Sequence, residues 1–429
     1  MFRKPGMWKT LGACALIAAT TPSLAQTAAA AFDGGSSRWV ATWSAAPIAP
    51  GPTTIDTLFK NPDRSRSFEN QTIRHIVHTS VGGRRVRVRL SNAFGIEPLR
   101  VGAAQVALSN NLAAVYPGSR RLTFGGQAGI VVPAGAVALS DAVDFDVPGD
   151  GDLAVSVYLP GVTEPATYHE LTMQTSFVAT AGSGNLVAAA DLPGAAATPS
   201  TFYLTVVEVQ AADSVGTLVA FGDSITQGAG SSQDLNRTWP DKLSDRLNQG
   251  RARLSVINQG VGCGRLLYDF CGPGGAARFD RDVLAVTGVK GVIVHLGLND
   301  IMIPALLPLF GHPEFGAETV SASDLITGLH QLTQRAHARG LKIYGATLTP
   351  FGSSTIPGLF TPENEAKRQA VNRWIRTSGA FDGVVDFEAA VRDPANPSRT
   401  LAAYDFDGVH LNDAGYAAMA NAINLAMLF

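Results

Sequence analysis

The chain has no excess of charge of either sign, since 33 lysines and arginines stand against 35 aspartates and glutamates among its 429 residues. A balanced chain offers no strong field for nucleic acid or for a polybasic contact with a membrane surface. It has no repeat of fixed period, which argues against a solenoid. After its N-terminal segment, no stretch approaches the ~18 apolar residues that a transmembrane helix needs. We therefore expect a partner that is small and uncharged or weakly charged.

Cysteine is scarce, with only Cys14, Cys263 and Cys271. The first lies in an N-terminal pattern of basic residues, the short apolar stretch "LGACALIAA" and the small-residue sequence "SLAQ", which predicts an export signal over residues 1–25. Lipidation of Cys14 is the alternative interpretation. Export would place the mature protein in the periplasm or outside the cell, where Cys263 and Cys271 can form a disulfide. Two small buried thiols are the alternative.

The length makes two domains the default. Residues 32–210 contain alternating segments such as "RRVRVRLS" and "DLAVSVYLP" between Gly, Pro and Asn turns, which predicts an all-β domain. Many short strands favour a sandwich or jelly roll over a barrel. The sequence "AADSVG", at residues 211–216, is interpreted as a linker.

Residues 217–429 show a different pattern, in which apolar strand-like runs alternate with helical stretches. Five such runs, "TLVAFGDS", "LSVINQG", "GVIVHLGLND", "LKIYGATLTP" and "GVVDFE", predict an α/β domain with a parallel sheet covered by helices on both faces. Ser224, Gly260 and Asn299 each follow one run. Because the carboxyl ends of parallel strands meet at one edge, these residues should lie together there.

Ser224 lies in "FGDSITQG", where an apolar strand ends and a helix can begin. Gly222 permits the sharp turn that would expose a nucleophilic hydroxyl. One alternative is that Ser224 merely caps the helix. Another is the α/β-hydrolase elbow G-x-S-x-G, but its last position is occupied here by Thr226.

A nucleophilic serine needs a base and a group that orients the base. Near the C-terminus, "YDFDGVHLNDAGY" places Asp407 three residues before His410, a spacing that can bring both side chains to one face of a turn. A reaction through a tetrahedral intermediate also needs donors for its oxyanion. The amide of Asn299 and the backbone of the loop "NQGVGCGRLL" can supply them. The alternatives are a turn asparagine and either a structural loop or a dinucleotide fingerprint, although Arg265 stands where that fingerprint requires glycine.

Four blocks of the sequence, in order, resemble those of the SGNH (GDSL) hydrolase superfamily: GDSI at 222–225, the loop with Asn258 and Gly260, GLND at 297–300, and DGVH at 407–410. The resemblance extends from about Thr217 to the C-terminus. Longer segments, including "RTWPDKLSDRL" and "RQAVNRWIR", resemble exported bacterial members that carry an N-terminal β-domain. Membership implies a three-layer flavodoxin-like fold and an esterase mechanism without metal or cofactor.

The resemblance also implies a role for each matching residue. Ser224 would be the nucleophile and the first oxyanion donor, Asn299 a side-chain donor, His410 the base and Asp407 its orienting carboxylate, while Asp405 is the competing orienter. One block departs from the family pattern, because Cys263 stands where the family has glycine, between Gly262 and Gly264. Its N–H can still donate, so Cys263 is the expected third donor, with Gly264 as the alternative. A bridge to Cys271 would fix that amide.

These observations predict a secreted or periplasmic serine esterase that forms an acyl-enzyme on Ser224. The expected substrate is a small-molecule or carbohydrate ester, with acetylated carbohydrate ahead of lipid because no long apolar stretch indicates a lipid-binding flap. A lipase or lysophospholipase and an acyltransferase with the same triad are the alternatives. A carbohydrate-binding protein with an inactive hydrolase domain is a third hypothesis, disfavoured because all four blocks keep their reactive side chains.

Overall fold

The computed structural model describes residues 37–51, 62–212, 215–249 and 254–429. The predicted export signal, Cys14 and residues 213–214 of the predicted linker lie outside them. The described residues belong to one compact unit, Ser36–Phe429. We refer to residues 37–212 as the β-region and to residues 215–429 as the α/β-region.

The β-region consists of short antiparallel strands whose side chains alternate between the core and the surface. In the segment "RRVRVRLS", for example, Val86, Val88 and Leu90 are buried, while the arginines between them are partly exposed. The strands of the described β-region are β1 (Ser37–Ser44), β2 (Glu69–Thr79), β3 (Gly83–Ser91), β4 (Leu99–Val101), β5 (Ala103–Asn111), β6 (Ala114–Val115), β7 (Arg120–Leu122), β8 (Ile130–Val132), β9 (Val137–Leu139), β10 (Val143–Val147), β11 (Gly151–Val162), β12 (Tyr168–His169), β13 (Ser176–Val178), β14 (Ala196–Thr198), β15 (Thr201–Phe202) and β16 (Leu204–Ala212). A 3₁₀ helix, Pro62–Ser65, precedes β2.

Two larger sheets organise these strands. One has the order β1-β16-β3-β10, with β9 also paired to β3. The other has the order β14-β13-β2-β11-β5-β6, with β7 also paired to β5, while β4–β8 and β12–β15 form separate pairs. A single buried apolar cluster contains Val88 and Val207 from the first sheet and Ile73 and Val155 from the second. The prediction that the N-terminal half is rich in β-structure is therefore confirmed, and β16 continues to Ala212.

The α/β-region contains the predicted parallel sheet. Its strands are β17 (Gly216–Gly222), β18 (Leu254–Gly260), β19 (Val289–His295), β20 (Lys342–Ala346) and β21 (Gly383–Val385), in the order β18-β17-β19-β20-β21. Each of the five apolar runs forms all or most of one of these strands, from the fully buried β17 to the three-residue β21 at the edge, where Val384 is exposed. The predicted α/β class is confirmed.

Helices connect the parallel strands. They are α1 (Ser224–Gln227), α2 (Trp239–Asn248), α3 (Gly275–Phe279), α4 (Leu298–Leu306), α5 (Ala322–His337), α6 (Pro362–Thr377), α7 (Phe387–Val391) and α8 (Asp413–Ala422). A π-helical turn, Asp280–Leu284, follows α3, and 3₁₀ turns span Leu307–Phe310, Pro313–Glu318 and Leu425–Leu428. Among the helices of the described ranges, none combines the length and apolar character needed to cross a membrane.

The β-region covers the outer edge of the parallel sheet at β18. Ser80 Oγ accepts a hydrogen bond from the N–H of Val256 at 2.7 Å. The Ser44 hydroxyl donates to the carbonyl of Asn258 at 3.0 Å, so a donor and an acceptor on the open side of β18 are both satisfied. Without such partners, an edge strand exposes unpaired backbone groups. Polar contacts therefore join the two regions along β18, the strand that leads to Gly260.

A second link between the regions is the buried carboxylate of Glu208 in β16. Its side chain has no exposed surface and pairs with Arg87 at 2.6 Å and Arg89 at 3.0 Å. The hydroxyl of Thr287, in the α/β-region, donates to the same carboxylate at 2.7 Å. All three partners donate to the carboxylate. A buried charge is tolerated only when it is paired and hydrogen-bonded in this way.

We expect Glu208→Gln to lower the free energy of unfolding by about 2–3 kcal/mol, because the hydrogen bonds of two partly exposed guanidinium groups lose their charged acceptor. Urea unfolding at neutral pH measures the change. Asp144→Asn is the matched control: Asp144 also pairs with an arginine of β3, Arg85 at 3.0 Å, but its side chain is 92% exposed. That variant should change stability by less than about 0.5 kcal/mol. Equal losses in the two variants would contradict the prediction.

Candidate active site

The turn after β17 presents Ser224 at the first position of α1. Asp223 is the N-cap residue, since its side chain accepts a hydrogen bond from Ile225 N at 3.0 Å. The alternative interpretation of Ser224 as the cap is therefore wrong. Gly222 is required at the end of the strand, because a Cβ there would lie 2.6 Å from the carbonyl oxygen of His295. The N–H of Ser224 belongs to the first turn of a helix, where backbone donors have no helical acceptor.

The loop before α8 brings His410 to Ser224. The Ser224 hydroxyl lies 2.8 Å from His410 Nε2, and His410 Nδ1 lies 2.7 Å from Asp407 Oδ2. The other carboxylate oxygen of Asp407 accepts the N–H groups of Val409 and His410 at 3.0 and 2.8 Å. The structure thus brings together the three predicted triad residues in one hydrogen-bonded series.

Several contacts fix the loop that carries Asp407. Asp405 accepts the N–H of Gly408 at 2.6 Å, so the competing orienter binds the loop backbone rather than the imidazole. Gly408 has a φ of +89° and packs closely on the backbone of Ser354, which leaves no room for a side chain. Burial would raise the pKa of Asp407, but its hydrogen bonds with His410 outweigh that effect and lower this pKa to about 2. Asp407 is accordingly a carboxylate throughout the neutral range.

The loop after β18 lies next to the serine turn. Asn258 joins the two, since its amide donates to the carbonyl of Thr226 at 2.8 Å and its oxygen accepts Gly260 N at 2.9 Å. Gly260 approaches α1 so closely that a Cβ would lie 2.8 Å from the carbonyl oxygen of Asp223. The end of β18 and the turn that carries Ser224 are therefore held in contact through backbone groups.

Cys263 adopts the left-handed conformation that favours glycine, with a φ of +52°. It is disulfide-bonded to Cys271, and the two Cα atoms are 5.7 Å apart. The predicted pairing is present in the structure. The N–H of Gly264 donates to the carbonyl of Val261 at 3.0 Å, which weighs against Gly264 as an oxyanion donor.

Asn299 supports the same loop from the start of α4. It is buried, and its Nδ2 donates to the carbonyl of Gly264 at 3.0 Å. The side-chain amide nitrogen of asparagine carries two hydrogens, so one remains for a ligand. Asp300 accepts the N–H groups of Leu266 and Leu267 at 2.6 and 2.9 Å. Burial raises the pKa of Asp300 to about 6, against the effect of these hydrogen bonds.

Two further groups lie at the carboxyl ends of the parallel strands, and the sequence analysis did not predict a role for either. Arg278 is fully buried and donates to the carbonyls of Gly222 at 2.7 Å and Gln259 at 2.9 Å, which lie at the ends of β17 and β18. It pairs with Asp282 at 3.2 Å, and this four-residue spacing in "ARFDRD" was the available signal. The other group is Asp223, whose pKa burial raises to about 7. Its Oδ2 has no hydrogen-bond partner among the described residues.

Residues 220–418 match the family described as the GDSL-like lipase/acylhydrolase family. No curated protein matches the sequence. Similar solved structures include a GDSL-like lipase from Bacteroides thetaiotaomicron, with 18% identity and a TM-score of 0.36 over 49% of this chain and 87% of that one. An aryl esterase from M. smegmatis has 17% identity and a TM-score of 0.38 over 48% and 95% of the two chains. Est24, a carbohydrate acetylesterase from Sinorhizobium meliloti, has 16% identity and a TM-score of 0.40 over 50% and 100%.

The left-handed backbone of Cys263 leads to a prediction about stability. Cys263→Gly and Cys263→Ala both remove the bridge to Cys271, but only glycine adopts positive φ without strain. We expect the alanine variant to be less stable than the glycine variant by about 1 kcal/mol in urea unfolding. Non-reducing peptide mapping of the wild-type protein should recover Cys263 joined to Cys271. Equal stability of the two variants would contradict the strain at this position.

Proposed function

We propose that the chain is a carboxylic ester hydrolase that forms an acyl-enzyme on Ser224, which lies within the segment, residues 220–418, that matches the GDSL-like lipase/acylhydrolase family. The single observation that supports this proposal is the hydrogen-bonded series from the Ser224 hydroxyl through His410 to Asp407, with distances of 2.8 and 2.7 Å. A neutral imidazole has one N–H and one lone pair. When Asp407 accepts from Nδ1, the lone pair of Nε2 faces the serine hydroxyl.

In the proposed reaction, His410 removes the proton of Ser224 as the hydroxyl oxygen attacks the ester carbonyl carbon. The tetrahedral intermediate collapses when His410 returns that proton to the leaving alcohol. Water then attacks the acyl-enzyme, with His410 again acting as base, and His410 returns the proton to Ser224 Oγ as the bond to the acyl carbon breaks and the carboxylic acid leaves. Asp407 stabilises the imidazolium that forms in each half of the reaction. Every step is a proton transfer or an acyl transfer.

The proposed oxyanion donors are the N–H groups of Ser224 and Cys263 and the side-chain amide of Asn299. Three observations support them: Ser224 lies in the first turn of α1, the N–H of Gly264 is already occupied, and Asn299 contacts the loop that carries Cys263. Donors fixed before the reaction need no reorganisation when charge develops on the oxygen. The contacts of Asn258, Asp300 and Arg278 contribute to this fixation.

We propose a short-acyl ester as the substrate, with acetylated carbohydrate ahead of lipid. The proposal rests on the lack of a long apolar stretch that could form a lipid-binding flap. Turnover of p-nitrophenyl esters of graded acyl length, followed by release of acetate from acetylated oligosaccharides, tests it. Faster turnover of long-chain esters would favour the lipase alternative.

We propose the finer organisation of the chain on separate grounds. The strand order β18-β17-β19-β20-β21 supports a flavodoxin-like three-layer catalytic domain over residues 217–429. Two antiparallel sheets around a shared apolar cluster support a sandwich or jelly roll over residues 32–210. Export through a signal at residues 1–25 rests on the sequence pattern alone.

Replacement of the triad residues should affect turnover unequally. We expect Ser224→Ala and His410→Ala to lower kcat by about 10⁴-fold or more, and Asp407→Ala to leave measurable activity because the serine and the base remain. Hydrolysis of p-nitrophenyl acetate by purified variants provides the measurement.

Asp405→Asn is the control for this series, since it keeps the oxygen that accepts the N–H of Gly408. Its kcat should stay close to that of the wild type. Loss of activity in Asp405→Asn together with wild-type activity in Asp407→Ala would overturn the assignment of the orienting carboxylate.

Replacement of Asn299 by alanine should lower kcat by about 10²–10³-fold with little change in KM, because an oxyanion exists only beyond the ground state. The control is Asn364→Ala, which removes an equally buried amide that donates to Leu359 O at 3.1 Å. The control should lose stability without the fall in kcat. An effect of Asn299→Ala on KM alone would indicate a substrate-binding role.

A further inference from the structure

A segment of the β-region, Tyr168–Glu170, contacts both α1, which begins with Ser224 and is called the nucleophile helix below, and the loop after β18 that carries Gly262 and Cys263, called the oxyanion loop. Its strand, β12, pairs with β15, so that His169 lies opposite Thr201. Tyr168 and His169 are buried, and the backbone carbonyl of Glu170 accepts the Ser200 hydroxyl at 2.9 Å. On its other side, Tyr168 forms a β-bridge with Ile48, so the segment is held within the β-region and can act as a fixed support.

His169 contacts the residue that ends α1. Its Nδ1 lies 2.8 Å from the carbonyl oxygen of Ala46, and its Nε2 lies 3.1 Å from both Gln227 Nε2 and the carbonyl oxygen of Leu171. Burial lowers the pKa of His169, which favours the neutral imidazole. The shorter of the two carbonyl contacts, to Ala46, favours the proton on Nδ1 over the tautomer that donates to Leu171. Nε2 is then an acceptor, and the Gln227 amide donates to it.

Gln227 is in turn part of the catalytic geometry. Its N–H donates to the carbonyl of Asp223 at 2.8 Å, which closes the short helix that begins with Ser224. Its backbone also lies against Gly260, at the end of β18. A displacement of Gln227 would therefore move the serine turn relative to the oxyanion loop.

Glu170 contacts the oxyanion loop directly. Its carboxylate lies so close to Gly262 that a Cβ on this glycine would overlap Oε1. Glu170 also pairs with the buried Arg64 at 3.6 Å. One residue before Gly262, Val261 packs within the apolar cluster of the β-region. The β-region thus borders the two residues that precede the strained Cys263.

We propose that His169 and Glu170 are positioning residues of the hydrolase, and that the β-region thereby completes the alignment of Ser224 with the oxyanion donors. His169 acts through Gln227 on the nucleophile helix, and Glu170 acts through Gly262 on the oxyanion loop. The inference rests on the proposed function of Ser224 and assigns the β-region a part in it. A misplacement of catalytic groups by about 1 Å can lower a rate by about 10²-fold, so contacts of this kind affect turnover without touching the substrate.

The His169 contact can be tested with two isosteric variants. In His169→Asn the side-chain amide takes the place of Nδ1 and keeps a donor for Ala46, whereas in His169→Gln the side chain keeps an acceptor near the position of Nε2. We expect His169→Asn to lower kcat for p-nitrophenyl acetate about tenfold or more with KM within twofold, and His169→Gln to recover most of the loss. Titration with a fluorophosphonate counts the protein molecules whose Ser224 is reactive, so that kcat can be given per competent site.

A double-mutant cycle tests whether His169 acts through Gln227. Gln227→Met removes the amide at similar volume. If the two residues act as one unit, the double variant His169→Asn/Gln227→Met should have a kcat within about twofold of the weaker single variant. Multiplicative losses would overturn the assignment of His169.

The Glu170 contact is tested in the same assay. Glu170→Ala should lower kcat about tenfold with little change in KM, and Glu170→Gln should preserve most activity because it keeps the shape of the side chain. Ser255→Ala is the control, since it removes a 2.6 Å hydrogen bond between the two regions, to the carbonyl of Ala41, at the far end of β18. It should lower the melting temperature and leave kcat unchanged.

Ser224→Ala measured in parallel separates two kinds of failure. Turnover that survives Ser224→Ala contradicts the proposed function itself. An inactive Ser224→Ala variant together with wild-type kcat per titrated site in His169→Asn and Glu170→Ala overturns the positioning role alone. An equal loss of kcat in Ser255→Ala would also overturn it, because any damage to the interface would then have the same effect.

Discussion

The hydrogen bonds that satisfy the edge strand β18 are the constraint on which the rest of the molecule depends. A parallel strand at the edge of a sheet leaves alternate backbone groups without partners. Here Ser80 accepts from Val256, and Ser44 donates to the carbonyl of Asn258. The strand leads directly to Gly260 and the loop with Cys263. The contact of Ser44 with Asn258, two residues before Gly260, therefore fixes the start of the loop on which oxyanion stabilisation is proposed to depend.

Aspartates hold the backbone around this edge. Asp223 accepts Ile225 N, Asp300 accepts two amides of the loop after Cys263, and Asp405 and Asp407 accept amides of the loop before α8. Their environments differ: burial raises the pKa of Asp300 to about 6, whereas bonds with His410 lower that of Asp407 to about 2. Each of these short acidic side chains fixes a turn, and Asp407 in addition places a negative charge beside the imidazole of His410.

The five parallel strands could be predicted because each lies in an apolar run that is bounded by turn residues, including the three-residue edge strand β21. The convergence of Ser224, Gly260 and Asn299 followed from the rule that loops at the carboxyl ends of parallel strands meet. Arg278 was not predicted. A buried arginine that donates to two strand-end carbonyls has no local pattern beyond its spacing to Asp282, since its acceptors, Gly222 and Gln259, are remote in the sequence.

Local chemistry in the sequence was sufficient for the α/β and β-rich halves, for the serine turn and for the three-residue spacing of Asp407 and His410, because each depends on neighbours along the chain. The folded chain alone decided that Asp223 caps α1, that Cys263 takes a left-handed conformation and that His169 meets Gln227. These features depend on which backbone groups and side chains meet across distant segments. Hydrogen-bond partners of that kind are selected by packing of the whole chain, and no local pattern of residue types encodes them.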